Sequence, residues 1–172
     1  MLQRKKISTA VAVALFGTLA LAPGASAATP TYLTTTQKAQ LKYLIEEEKL
    51  ARDVYTYLST KVTTRKFSNI ARSEQTHMNY IAALLTKYKQ TNPTIGKAAG
   101  VFVNKDIQAL YNALTAEGSA GLIQAYGVGV KIEDVDIASL KELLAKSMPV
   151  DVKAALDLLL AASYNHLEAF TY

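Results

Sequence analysis

The chain has 172 residues, half of them apolar and 19% charged, which suits one folded domain with a real core and not a disordered segment. It has no cysteine. That excludes disulfides, zinc ribbons, iron–sulfur clusters and thiol nucleophiles, so any metal must be held by His, Asp, Glu or backbone groups.

The N-terminus reads as a secretory signal over residues 1–27. "MLQRKK" is a basic start, "ISTAVAVALFGTLALA" an apolar stretch of about 16 residues, and Ala25-Ser26-Ala27 an A-x-A cleavage site. The apolar stretch is short of the ~20 residues a membrane span needs. The expectation is therefore a secreted, envelope or periplasmic protein with no membrane association once the signal is cleaved. Three of the 19 basic residues (Arg4, Lys5 and Lys6) lie in this leader; without them 16 basic residues face 14 acidic ones, and net charge falls from +5 to +2. No basic run remains to suggest nucleic acid as a partner.

Residues 28–36 form a Thr-rich, extended lead-in, and residues 37–172 the folded domain. "TTTQ" has the form of a capping box, Thr34 with Gln37. A first helix is predicted over about 36–59, with Leu41, Leu44, Ala51, Val54, Tyr55 and Leu58 at helical spacing. A second follows over about 68–89, with Ile70, His77, Ile81, Leu84, Leu85 and Tyr88 inward. "QTNPTIGKAAGVFV" is a long loop, and a short helix spans about 105–116. "EGSAG" breaks the chain before a third long helix over about 119–146. "SMPV" turns into the last helix, about 150–170, with Pro149 tolerated in its first turn. No segment reads as a strand. Short turns make each pair of long helices antiparallel. One long crossover between the pairs gives the expected fold: all-α, a ferritin-like antiparallel four-helix bundle with an extra short helix in the crossover.

Di-iron carboxylate bundles take one Glu from each of two helices and a Glu-x-x-His from each of the other two. The first helix offers "EEE": Glu46 points away from the apolar face, and Glu47 and Glu48 flank its centre about equally. The second offers Glu74-x-x-His77, the third Glu133 and Asp136, and the last His166. Residue counts outward from each turn bring Glu48, Glu74, His77, Glu133 and His166 within about one helical turn of the same height, at ~1.5 Å rise per residue. The mature chain has only these two histidines. Several buried carboxylates at one level need a counter-charge, and a divalent metal supplies it. The fourth helix departs from the pattern, because Ser163 stands where a Glu is needed. Asp136 is the candidate for the missing carboxylate. Gly129, one turn before Glu133, leaves room either for a small oxidant or for close helix packing.

"EEEKLARDVY", "FSNIARSEQTHM", "GVKIEDVDI" and "SYNHLEAF", in that order, resemble a ferritin-like family known as domain of unknown function 2202, over about residues 37–171. The resemblance implies a fold related to rubrerythrin and ferritin. It selects Glu48 over Glu47, because rubrerythrin-like first helices carry the pattern seen here as Glu48, Ala51, Arg52 and Tyr55. It implies metal ligation by Glu48, Glu74, His77, Glu133 and His166. The expected metal is iron, with manganese or zinc as alternatives, in a mononuclear or asymmetric dinuclear site. Oxygen or peroxide is the expected partner, with oxidase or peroxidase-type redox chemistry or simple sequestration as the outcome. Arg52 and Asp53 are candidates to orient the ligands, and Tyr55 to donate a hydrogen bond or an electron. A homo-oligomer stays open. The contrasting expectation is a metal-free bundle that acts as an envelope interaction module, its Glu and His side chains forming a buried polar network with Arg52.

Overall fold

The computed structural model describes residues 32–171. The expected signal and most of the lead-in lie outside them. The described residues are all-α: α1 Thr35–Leu58, α2 Lys66–Lys87, α3 Lys105–Gly118, α4 Leu122–Leu144 and α5 Val150–Thr171.

Local chemistry sets the helix ends. Thr34 caps α1 through the expected box, its hydroxyl accepting from the Gln37 N–H while the Gln37 side chain accepts from Thr34 N–H. Asn104 caps α3, accepting from the N–H groups of Asp106 and Ile107. The break before α4 falls at Gly121, whose φ of +147° suits glycine alone. This breaker starts α4 three residues later than the periodicity predicts.

The helices pack as a bundle. α1 lies on α2 and α4 on α5; α2 also touches α5, α1 touches α4, and α3 lies across α1 and α4. The core shows how the helices run. At one end Val54, Tyr55 and Leu58 of α1 meet Phe67 and Ile70 of α2, Ala125 and Val128 of α4, and Phe170 of α5. At the other end Leu41, Leu44 and Ile45 meet Ile81 and Leu85, Leu140 and Leu143, and Val152 and Leu156. The start of α1 thus meets the end of α2 and the end of α4, and the start of α5 meets the ends of α2 and α4. All four neighbouring pairs run antiparallel. The crossover must then carry the chain along the bundle before α4 begins: Asn104, just ahead of α3, lies at Glu46 in the middle of α1, and α3 continues until Gly118 packs on Leu58.

Buried polar groups fasten that crossover to α1. Glu46 accepts from the N–H of Val103 at 2.7 Å and of Asn104 at 3.1 Å. Lys49, 1% exposed, donates to Ala98 O at 2.8 Å, pairs with Asp53 and lies 4.4 Å from the Phe102 ring centre. Asp53 also accepts from Gly100 N–H at 2.9 Å and from Arg52. Glu46 points off the apolar face as periodicity says, yet it is buried, because the crossover covers that side. Asp53 reaches the strap and Arg52 reaches Asp53 and Gln75 of α2; neither bonds a candidate ligand. An α-helix cannot form across Pro93 and the positive-φ Gly96 and Gly100, so the strap's N–H groups need such side-chain partners.

Candidate metal centre

Between the two apolar ends lies one polar layer, built mid-helix from α1, α2, α4 and α5. It holds Glu48 (1% exposed), Glu74 (2%), His77 (4%), Glu133 (1%) and His166 (8%). Each sits among apolar neighbours on the inward stripe of its helix, so folding the stripe inward carries the polar group with it.

Glu74 is the centre of the layer. Its Oε2 lies 2.7 Å from His77 Nδ1 and its Oε1 lies 2.9 Å from His166 Nδ1. His77 Nδ1 is also 3.1 Å from Glu48 Oε2, and His166 Nδ1 is 3.6 Å from Glu133 Oε2. The two imidazoles stack, with ring centres 5.6 Å apart. Two groups of three result, Glu48–Glu74–His77 and Glu74–Glu133–His166, each with its ligand atoms within 4.8 Å of one another. Glu74 belongs to both.

Asp136 and Ser163 complete the layer at its edge. The Ser163 hydroxyl, fully buried, donates to Asp136 Oδ2 and to Leu159 O. Asp136 belongs to neither group of three. Glu47 is half-buried beside it and accepts from Ser139 at 3.3 Å. Glu48, not Glu47, enters the groups, the choice that helical spacing alone does not make. Tyr55 donates to Glu133 Oε1 at 2.6 Å, fixing that carboxylate. Gly129 gives close packing and no open space, because a Cβ there would meet the Phe170 ring at 2.6 Å.

Burial and charge perturb every group. Burial, opposed by the His77 hydrogen bond, raises Glu48 to about 8. Burial raises Glu133, and it raises Asp136 well above its ordinary value with help from the Glu48 charge. For Glu74 burial pushes up, but the close approach of the His166 and His77 imidazoles outweighs it and holds the carboxyl low. Burial works against the histidine charges, yet the nearby carboxyls of Glu48 and Glu74 lift His77 to about 10, and those of Glu133 and Glu74 lift His166 to about 9.

Three buried ligand-type atoms in this layer have no hydrogen-bond partner: Glu48 Oε1, Asp136 Oδ1 and His166 Nδ1. The His166 nitrogen is close to carboxylate oxygens, but no hydrogen bond of good geometry forms. Orphans of this kind are costly in a protein interior unless something else pairs with them. The donor set is all oxygen and imidazole nitrogen, and these groups could hold a metal ion.

Sequence reasoning did not foresee the crossover's anchors. The i,i+4 spacing of Lys49 and Asp53 was the available signal, although such pairs usually face solvent.

Residues 37–172 match a family described as "Uncharacterized protein domain (DUF2202)". The uncharacterized protein MJ0754 of Methanocaldococcus jannaschii is 42% identical over 134 residues, which cover 78% of this chain and 72% of that protein. The crystal structure of hypothetical protein MJ0754 from Methanococcus jannaschii aligns with a TM-score of 0.79 at 40% identity, covering 82% of this chain and 81% of that one.

Proposed function

The chain belongs to the DUF2202 family, whose match runs through all five helices, and on that footing we propose that it is a ferritin-like metal-holding protein with iron in the polar layer. The antiparallel neighbours and the crossover along the bundle support the ferritin-like reading. The observation that carries the metal reading is Glu74, which offers one oxygen to each of two histidines, at 2.7 and 2.9 Å. A carboxylate so placed suits a bridge between two ions. Glu48 and His77 would hold the first ion, and Glu133 and His166 the second. Glu48 and Asp136 each keep one oxygen unpartnered, and Asp136 is the candidate for the carboxylate that Ser163 lacks.

Oxygen and nitrogen donors of this kind suit iron, with manganese or zinc as competitors. Iron bound there would supply redox chemistry toward oxygen or peroxide. The chain's own part is to fix the ligands, exclude bulk water and orient Glu133 through Tyr55. The reading places sequestration ahead of turnover, because Ser163 leaves the second Glu-x-x-His incomplete. With its leader, the protein would do this work in the envelope or outside the cell.

Metal analysis of protein purified without chelator tests the proposal. The expected result is stoichiometric metal that is lost in Glu74→Ala. A chain without metal, and without a thermal shift on adding iron, manganese or zinc, would leave the layer as a structural network of ion pairs.

A further inference from the structure

α2 and α5 bury their inner sides in the bundle, but among the described residues no other element covers their outer sides. A groove of about 420 Å³ runs between them, walled by Tyr80, Ala83 and Leu84 of α2 and by Ala154, Ala155 and Leu158 of α5. Leu158 is 56% exposed and Tyr80 44%. Thr76 and Ala161 continue the two walls and are also exposed. No charge stands among these side chains. The charges lie at the margins. Lys87 pairs with Asp151 at 2.7 Å at one end, and Lys153 with Asp157 at 2.7 Å along the edge. Glu168, at the other end, is exposed and has no ion pair among the described residues. An uncharged centre that carries an aromatic residue, inside a charged rim, is how protein interfaces are built.

The pattern on α5 says what covers this face. Ala154, Leu158, Ala161 and Asn165 are exposed and follow one another by four, three and four residues, the spacing of a helix-pairing seam. That spacing is the same from either end. A second α5 laid antiparallel meets the seam in register, with Leu158 against the partner's Ala161 and Asn165 against the partner's Ala154. Each larger side chain meets a smaller one, and a two-fold axis repeats every contact. In this register Glu168 comes level with the start of the other α5, beside the partner's Lys153. Two ion pairs, one at each end, would close the rim. A parallel copy loses both features, because Leu158 then meets leucine and Glu168 meets glutamate.

The area is sufficient. The 22 residues of α5 run for about 33 Å, and α2 alongside makes the face about 20 Å wide. Two copies would cover about 1,300 Å² in all, within the ~1,200–2,000 Å² of stable interfaces.

We propose that the α2–α5 face is where two copies of this chain assemble about a two-fold axis, α5 antiparallel to α5. The face lies on the outer sides of the helices whose inner sides carry Glu74, His77 and His166. The dimer therefore stands with or without metal in the polar layer, and its test does not depend on metal content.

Sedimentation equilibrium of the purified protein is expected to show a monomer–dimer equilibrium with Kd of about 10 μM or tighter. Ala161→Glu sets an unpaired carboxylate in the seam of each copy and should leave a monomer at about 100 μM. Its helix content by circular dichroism should not change, because Ala161 is exposed in the single chain. Lys153→Glu and Glu168→Lys each bring like charges together at both ends and should weaken the dimer about tenfold. The two combined restore the pairs and should restore the affinity. Val103→Lys, exposed on the crossover against α1, should leave the dimer intact. A chain that stays monomeric, a dimer that survives Ala161→Glu, a combined charge swap no tighter than the single ones, or a dimer broken by Val103→Lys would each overturn the proposal.

Discussion

The half of the polar layer on α1 and α2 and the half on α4 and α5 share Glu74 but are finished differently. In the second, Tyr55 reaches across from α1 and clamps one Glu133 oxygen at 2.6 Å, leaving the other 3.6 Å from His166. In the first, Glu48 gives one oxygen to His77 at 3.1 Å and keeps the other unpartnered. The second half is held by a fixed phenol donor, whereas the first has an uncommitted oxygen beside Asp136. On the proposed metal reading, such a layer would offer one rigid position and one adaptable one, and the halves can be tested one at a time.

The largest effect comes from removing one imidazole at a time. If the proposed two-ion reading holds, His77→Ala removes the ion of the first half and His166→Ala that of the second, so that each variant keeps about half of the metal by elemental analysis while Glu74→Ala keeps none. If either histidine variant loses all metal, the halves fill cooperatively and the comparison fails. If neither loses any, the imidazoles are not ligands. Circular dichroism and thermal melts should accompany these measurements, because removing a buried partner leaves a buried carboxylate alone and costs about 3–5 kcal/mol.

How much of this was legible in the sequence follows from the same residues. Helical periodicity and turn length gave the long helices, and counting residues from the turns brought five side chains to one height. Glu47 and Glu48 flank the apolar stripe equally, so helix period alone did not separate them; long-range packing does, with Glu48 on His77 of α2 and Glu47 toward Ser139 of α4. Arg52 and Asp53 look like neighbours of the site because they are close to Glu48 in sequence. Asp53 turns instead to a crossover whose path no local rule fixes, and Arg52 turns to Asp53 and to Gln75 of α2. What Gly129 does depends on Phe170, 41 positions on, which packs against it.

The pH response separates metal binding from a network of ion pairs by its sign. In the metal-free protein Glu48 is raised from 4.5 to about 8, so the folded state binds more protons between those values and loses stability as pH climbs through them. His77 and His166 rise from 6.5 to about 10 and about 9. Their contribution is fully present below 6.5 and is lost as pH rises through 9 to 10. Glu74, held low, acts oppositely, but its contribution is lost only as pH falls below its ordinary 4.5. Metal-free protein should therefore melt at a lower temperature at about pH 9 than at about pH 6. Bound metal demands deprotonated ligands, so the increase in melting temperature on adding metal should grow over the same interval. A metal-induced increase that is absent, or that shrinks with rising pH, would favour the ion-pair network.

The smallest expected effect tests the rigid half alone. Tyr55→Phe keeps the ring against Phe67 and Phe170, whose centres lie 6.0 and 5.3 Å from its own, so the apolar end of the bundle should pack as before. Only the hydroxyl is lost, and with it the donor to Glu133 Oε1. Removing a group that orients a ligand typically weakens metal affinity about 10–100-fold. The loss should appear in one of two binding phases, that of the Glu133–His166 half, with the Glu48–His77 half unchanged. Equal weakening of both phases would mean that Tyr55 acts through the shared Glu74 and that the halves are not separable. No weakening of either would mean that Glu133 is held well enough by its helix, and that the difference between the halves lies in Ser163 and Asp136 and not in the phenol.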